Sequence, residues 1–267
     1  MQHILLTRFN LKINPDANSE QNQGLTHEWL EHRFKIFQEL CLPSVLNQSK
    51  KDFLWIIFFD AHTPDAYKKR AQSLSQLYEK IRIIFIDGFK ELNTSLKDLI
   101  KPFITDPHVI TTRLDNDDII HKDFLATIGK LATLKNNTVI DLTAGHQLKL
   151  SGGKAIVRCY SNSFNPFISL VETNGEVKTV LSKMHNEWKN AEEIIKFNKK
   201  KLWIEYTHGK NAANYSKQFL WLSNKLTFSD YGIKEYHFNY NQLSIYLLNF
   251  LVSPFHFMYK IYRLIRS

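Results

Sequence analysis

The chain has 267 residues, 43% of them hydrophobic and 23% charged, which is near the globular average and excludes a disordered chain. Only 9 glycines are present and no G-x-G-x-x-G or G-x-x-x-x-G-K-[ST] run occurs, which excludes a dinucleotide-binding Rossmann enzyme and a P-loop NTPase. The formal charge of +9 favours anionic partners: nucleotide phosphates, nucleic acid or an anionic membrane surface.

In chain order, His3 to Phe9 reads as a strand, and Asn14 to Gly24 as a polar loop. The opening residues lack a basic stretch and a long apolar run, so no signal peptide is expected. A helix starts at Thr26, an N-cap with Glu28 in its first turn. Leu30, Phe34, Phe37 and Cys41 give it one apolar face, and Pro43 is expected to kink or end it. Phe53 to Phe59 is continuously apolar, the pattern of a strand buried on both faces, and stops at Asp60. Thr63-Pro64-Asp65 predicts a second helix, with Thr63 as N-cap and a face of Tyr67, Ala71, Leu74, Leu77 and Tyr78. Ile81 to Ile86 is the next strand, ending at Asp87, followed by a short helix from Ser95 to Phe103. His108 to Leu114 is a strand ending at Asp115. Phe124, Leu125, Ile128, Leu131 and Ala132 mark a helix, and Thr138 to Leu142 another strand.

Strands alternating with helices predict a mostly parallel sheet flanked by helices, with ligands outside the carboxyl ends of its strands. Arg8-Phe9-Asn10, Asp60, Asp87 and Asp115 all fall at such ends. Asp115, Asp117 and Asp118 place three carboxylates within four residues. One or two carboxylates plus substrate phosphates is the usual way of holding Mg²⁺ or Mn²⁺, so this turn reads as a metal–phosphate site rather than a solvated acidic loop. Asp118 is also readable as a helix cap. A calcium EF-hand is excluded, because the loop from Asp115 lacks glycine at its sixth position and glutamate at its twelfth.

The second half changes character. Gln147 to Leu150 and Ala155 to Arg158 flank Gly152-Gly153, a hairpin signature. A loop-rich stretch with Phe164, Phe167 and Glu172 follows, then His185-Asn186-Glu187-Trp188 and Trp203 to Gly209. No linker separates this half from the first. Cys41 and Cys159 have no C-x-x-C spacing and read as small buried hydrophobes in a reducing compartment. From Tyr236 to Tyr259 there is no Asp, Glu, Lys or Arg, and Lys260, Arg263 and Arg266 follow. Polar residues and Pro254 interrupt this run, so it fits an interfacial amphipathic segment better than a membrane span. The alternative is a helix pair packed on the domain with a solvated basic end.

Several of these pieces together resemble one family. Leu5 to Asn10 is similar to the first strand and nucleotide loop of GT-A fold glycosyltransferases, family-two-like, of the bacterial rhamnosyltransferase group. Leu42 to Ser49 resembles that group's leucine–x–Ser–hydrophobic–x–x–Gln helix end. Phe53 to Asp60 with Thr63-Pro64-Asp65 resembles its base- and ribose-holding strand, acid and cap. Arg113 to Asp118 resembles its D-x-D metal motif, and Trp203 to Asn211 its late Trp…His-Gly-x-Asn element.

The resemblance implies an α/β, GT-A fold: residues 1–235 form the transferase domain (1–145 for the nucleotide-sugar, 146–235 for the acceptor) and 236–267 a C-terminal helical extension. It implies a metal-dependent enzyme that moves a sugar from a nucleotide-diphosphate sugar to a saccharide or lipid-linked acceptor in cell-surface polysaccharide synthesis. Such an enzyme works in the cytoplasm or peripherally at the inner face of the membrane, and binds no nucleic acid. Arg8, Asn10, Asp60, Asp87, Arg113 and Asp115 are the donor-binding candidates; Asp115, Asp117 and His208 are the candidates for Mn²⁺ or Mg²⁺, with His185 the alternative histidine. The Glu-Asp pair that usually supplies the general base is missing. Glu187 is preferred for that role, with Glu172 and Glu205 as alternatives. Two rivals remain: a Mg²⁺-dependent phosphatase of the haloacid dehalogenase type, and a basic module that binds membrane or nucleic acid without catalysis.

Overall fold

The computed structural model describes residues 1–266 except 17, 174, 176 and 210–216, and does not describe the side chains of 260 and 262–266. The first half runs β1 (Gln2–Arg8), α1 (His27–Ile36), α2 (Leu42–Leu46), β2 (Leu54–Asp60), α3 (Asp65–Gln72), β3 (Ile81–Ile86), α4 (Gly88–Ile100), β4 (His108–Arg113), β5 (Ile119–Ile120), α5 (Phe124–Leu131) and β6 (Thr138–Leu142). The second half runs β7 (Ala144–Ser151), β8 (Lys154–Ser161), β9 (Ser169–Thr173), β10 (Glu193–Phe197), β11 (Trp203–Tyr206), β12 (Leu222–Ser223), β13 (His237–Phe238) and α6 (Gln242–Arg266).

The larger sheet has seven strands in the order β10-β6-β9-β4-β1-β2-β3. β1 pairs in parallel with β2 and β4, and β2 with β3. β9 alone runs antiparallel, between β4 and β6. Both faces are covered, which explains the unbroken apolar run of β2. Trp55, Ile57 and Phe59 enter one core with Leu30 and Phe34 of α1, and Ile56 and Phe58 enter another with Leu92 and Leu96 of α4. The second sheet is ordered β12-β8-β7-β11-β5, with β13 beside β8. This is the mixed α/β architecture, a mostly parallel sheet flanked by helices, that the alternating pattern predicts.

Four details differ from the sequence reading. Pro43 does not end the first helical run. A π-helical turn, Phe37–Cys41, lets the Leu42 N–H reach the Phe37 carbonyl, so Pro43 falls in the first turn of α2, where its missing N–H costs little. Thr63 does not cap α3. Pro64 holds that position, and the Thr63 hydroxyl accepts from Asn10 Nδ2 at 2.9 Å. α4 begins at Gly88, well before Ser95, because Gly88 takes φ +66° and turns the chain against the Lys12 carbonyl. β9 lies within the stretch read as loop.

α6 is one helix that contains Pro254. It is rooted on the second sheet: the Leu222 N–H donates to Asn249 Oδ1 at 2.8 Å, Asn249 Nδ2 donates to the Leu222 carbonyl at 3.0 Å, and Trp221 stacks on His256 at 4.5 Å. Strand pairing also runs past the expected boundary at residue 235, through β13. Among the described residues no helix is long and apolar enough to cross a membrane.

Candidate active site

β1 and β4 are parallel neighbours, so their carboxyl ends meet at one edge and bring Arg8 and Arg113 together. A cavity of about 1030 Å³ opens there, and both arginines, Asn10, Asp115, Asp117 and His185 contribute to its wall. The acidic turn leaves β4 and enters β5, and its three carboxylates take three different environments.

Asp115 faces the arginines. Arg113 Nε and Nη2 donate to its two oxygens at 3.1 and 2.8 Å, and Arg8 Nη2 lies 3.8 Å from Oδ1. Burial alone would raise this carboxyl, but Arg113 and Arg8 outweigh it and hold it at about 2. Asp117 faces α1 and the loop after β11. It pairs with Arg33 Nη1, and His208 Nε2 lies 3.2 Å from its Oδ2. Arg33 also donates to Asn116 Oδ1 at 3.0 Å, and its guanidinium lies 4.8 Å from the Trp29 ring centre. Asp118 points away from the cavity. It caps no helix; its Oδ1 accepts the Tyr206 N–H at 3.2 Å. Burial, and then the neighbouring Asp117 charge, push this carboxyl well above the usual carboxylate range.

Register explains how His208 reaches Asp117. Trp203 and Ile204 of β11 pair antiparallel with Ile120 and Ile119 of β5. Running that pairing outward sets the residues after Tyr206 beside the turn before Ile119. Asn211, the last residue of the late motif, lies outside the described residues.

The other candidates are placed as follows. Asn10 lines the cavity while tying loops together: its amide donates to the Gly24 carbonyl at 3.1 Å and its Oδ1 accepts the Asp60 N–H at 3.2 Å. Asp60 is fully buried behind it, accepting the Lys12 and His62 N–H groups at 2.9 and 2.8 Å, and does not line the cavity. Asp87 also lies off the cavity, paired with the Lys12 ammonium and half exposed. Neither Glu172 nor Glu187 lines the cavity. Glu172 is buried on β9 and accepts the Lys178 and Thr179 N–H groups at 2.7 and 3.0 Å. Glu187 is exposed and accepts the Met184 N–H at 2.7 Å, closing its own turn. Glu205 is buried in the second sheet, accepting from Gln147 Nε2 at 2.8 Å. That turn instead delivers His185, whose Nδ1 sits against the Phe164 carbonyl. Burial lowers the affinity of this ring for a proton and keeps it neutral. Arg33 and Trp29 were outside the sequence-based candidate set. Both lie on the face of α1 that meets the acidic turn, at helical spacing of four residues.

A family profile described as "putative rhamnosyl transferase" matches residues 2–218. The chain belongs to this family. No curated protein matches it. Among solved structures, S. aureus TarS 1–349 in complex with UDP-GlcNAc is 14% identical with a TM-score of 0.47, covering 82% of this chain and 63% of TarS 1–349. The inositol-1-phosphate CTP transferase of T. maritima is 10% identical with a TM-score of 0.41, covering 76% of this chain and 89% of its own. The chain thus spans about three-fifths of the TarS fragment.

Proposed function

We propose that this rhamnosyl transferase family member moves a sugar from a nucleotide-diphosphate sugar to the hydroxyl of a saccharide or lipid-linked acceptor, in cell-surface polysaccharide assembly. One observation carries the reading. A cavity at the carboxyl edge of a parallel sheet gathers Arg8, Arg33 and Arg113 with Asp115 and Asp117. Anions sit in such a place, and guanidinium groups bind phosphate oxygens bidentately. Arg8 and Arg113 are preset by Asp115, so the site has little reorganisation left when a diphosphate arrives.

Among the described residues no three His, Cys, Asp or Glu side chains form a metal-holding group, so a divalent cation would lean on one or two of them and on the donor's phosphates. Asp117 offers a hard carboxylate with the His208 imidazole beside it, and Asp115, although engaged by Arg113, lies two residues away. Oxygen donors of this kind suit Mg²⁺ and Mn²⁺. A bound cation would supply Lewis-acid stabilisation of the charge that develops on the leaving diphosphate. Asp117 and His208 are the residues assigned to it. The acceptor proton goes to His185, which is neutral, lines the cavity and is oriented through Nδ1, leaving Nε2 as the accepting nitrogen.

α6 supplies a setting for a lipid-linked acceptor. Ile245 packs inward, while Leu247, Phe250 and Phe257 are 59%, 78% and 65% exposed. No acidic residue occurs from Tyr236 onward. An anionic bilayer surface matches both the apolar face and the basic end of the sequence.

Calorimetry with UDP and dTDP tests the donor reading. Binding is expected to strengthen with Mn²⁺ and to fall at least tenfold in Asp117→Asn. Equal binding with metal, with chelator and in the variant would remove the cation from the reading. Absence of binding by any nucleoside diphosphate would remove the transferase reading itself.

A further inference from the structure

A second cavity, of about 420 Å³, shares no lining residue with the first. It lies where the loop between β10 and β11 meets the segment after β12. Its rim carries Lys199, Lys200, Lys201 and Lys225. Lys200 is already paired with Asp123 at 2.7 Å, and the one carboxylate on the wall, Asp230, with Lys122 at 2.7 Å. Lys199, Lys201 and Lys225 have no carboxylate within ion-pairing distance among the described residues. Three unneutralised ammonium groups therefore surround one hollow.

The wall holds a second and independent signal. His146, on β7, is 5% exposed and lines this cavity, and its Nδ1 is buried without a hydrogen-bond partner. This nitrogen is buried out of reach of the hollow, so the ring meets the cavity by its other edge, where an Nε2–H can donate to an oxyanion whose outer oxygens the lysines close over. Burial, then the Lys201 charge, holds this ring neutral with a proton affinity near 3. A neutral imidazole still donates one N–H.

We propose that this cavity binds a phosphoryl group carried on a larger molecule. The size favours a phosphorylated headgroup or sugar over the bare ion, since pockets of a few hundred Å³ hold whole small molecules. Its place in the sheet bears on the source. His146 pairs with Cys159, the Cys159 N–H donates to the Trp221 carbonyl at 2.8 Å, and Trp221 stacks on His256 of α6. The cavity and the root of α6 thus lie along one row of the second sheet, about 10 Å apart at two strand spacings. A phosphate at a bilayer surface would be within reach of both.

The histidine-ring NMR signals of the full chain test the proposal, with the His146 resonance assigned through His146→Gln. This signal reports on the second cavity alone, so its outcome is separate from the donor reading. Inorganic phosphate is expected to shift the His146 ring saturably, with affinity lowered at least tenfold in the Lys201→Ala, Lys225→Ala double variant. Both lysines are exposed, so the double variant retains the fold. Sodium chloride at matched ionic strength should leave the signal in place. Competition by glycerol phosphate and by phosphatidylglycerol vesicles would mark a lipid headgroup, and saturation by phosphate without such competition a soluble phosphate. No saturable shift, a shift reproduced by chloride, or equal affinity in the double variant would overturn the proposal.

Discussion

In the proposed reading, Arg33 and a divalent cation would compete for the same oxygen. Arg33 Nη1 pairs with Asp117 Oδ2, the atom that His208 Nε2 also approaches at 3.2 Å. In Arg33→Ala the carboxylate loses one charge-assisted hydrogen bond, worth about 1.5 kcal/mol. Manganese binding without nucleotide should therefore tighten roughly tenfold, while nucleoside diphosphate binding weakens because a cavity guanidinium is gone. Calorimetric titration of Mn²⁺ alone and then of UDP separates the two effects. An unchanged or weaker Mn²⁺ affinity would count against Asp117 as the cation's ligand. Two buried groups set opposite limits on stability with pH. Burial, then the Lys50 charge, lowers the His3 ring to about 3. As pH falls below the ordinary value near 6.5, the unfolded chain takes up a proton that folded His3 refuses, so stability drops, by ~2 kcal/mol near pH 5. Burial raises the Glu172 carboxyl to about 7. Its contribution is complete below the ordinary carboxylate value and is lost as pH rises through about 7. Thermal melts from pH 4.5 to 8.5 should show a shallower acid limb in His3→Gln and a shallower alkaline limb in Glu172→Gln. Parallel curves for wild type and variant would refute the corresponding assignment.

The element that delivers His208 depends on a close approach between β7 and β11. A Cβ added at Gly145 would lie 2.2 Å from the Trp203 ring, whose Nε1–H donates to the Leu142 carbonyl at 2.6 Å. Phe167 stacks on the other side at 4.9 Å, so the indole cannot shift away. Gly145→Ala should cost about 3 kcal/mol, the upper range for overpacking a filled core, and should loosen cation binding by displacing β11. Denaturant melts and Mn²⁺ titration would show both, and an unperturbed melting curve would mean that the indole has room to move. The elements that build the first cavity were legible in the sequence for a physical reason. β1, β2 and β4 are buried over most of their length and β3, at the sheet edge, is partly covered; each has an apolar stretch that gives way to a charged residue at its carboxyl end. β9 was not legible because its burial is bought with side-chain hydrogen bonds: Ser169 bonds Thr112 at 2.7 Å, and Glu172 takes two backbone N–H groups. β5 has only two residues and exists through its partner β11. The same limit governs the site. Arg8, Arg113, Asp115 and Asp117 sit at or just after a strand end and could be found from the pattern, whereas Arg33 and Trp29 arrive on a helix far away in sequence, and His185 was named only as an alternative metal ligand. A carboxylate's partners are a tertiary fact, so the different surroundings of Asp60, Glu172 and Glu187 could not be read from spacing.

At the scale of the whole molecule, the excess positive charge is spread over distinct surfaces: the arginines of the first cavity, the lysines of the second, and the basic end of the α6 sequence. α6 differs from the others in joining that charge to apolar area. Its inner face is occupied, since Ile245 is buried and Asn249 and His256 contact the segment around β12. Its outer face is not, because Phe250 is 78% and Phe257 65% exposed. Glutamate at both outer positions should leave the fold unchanged, because neither side chain packs on the domain. If this face enters a bilayer, each phenylalanine contributes at least ~1.5 kcal/mol, so Phe250→Glu with Phe257→Glu should lower partitioning roughly a hundredfold. Flotation with phosphatidylglycerol vesicles measures it against the wild-type chain and against a chain ending before Gln242. Neutral vesicles and raised salt should weaken wild-type binding only in part, because screening acts on the charges and not on buried hydrocarbon. Equal, negligible flotation of all three chains would assign the exposed face of α6 to a protein partner or a second copy of the chain.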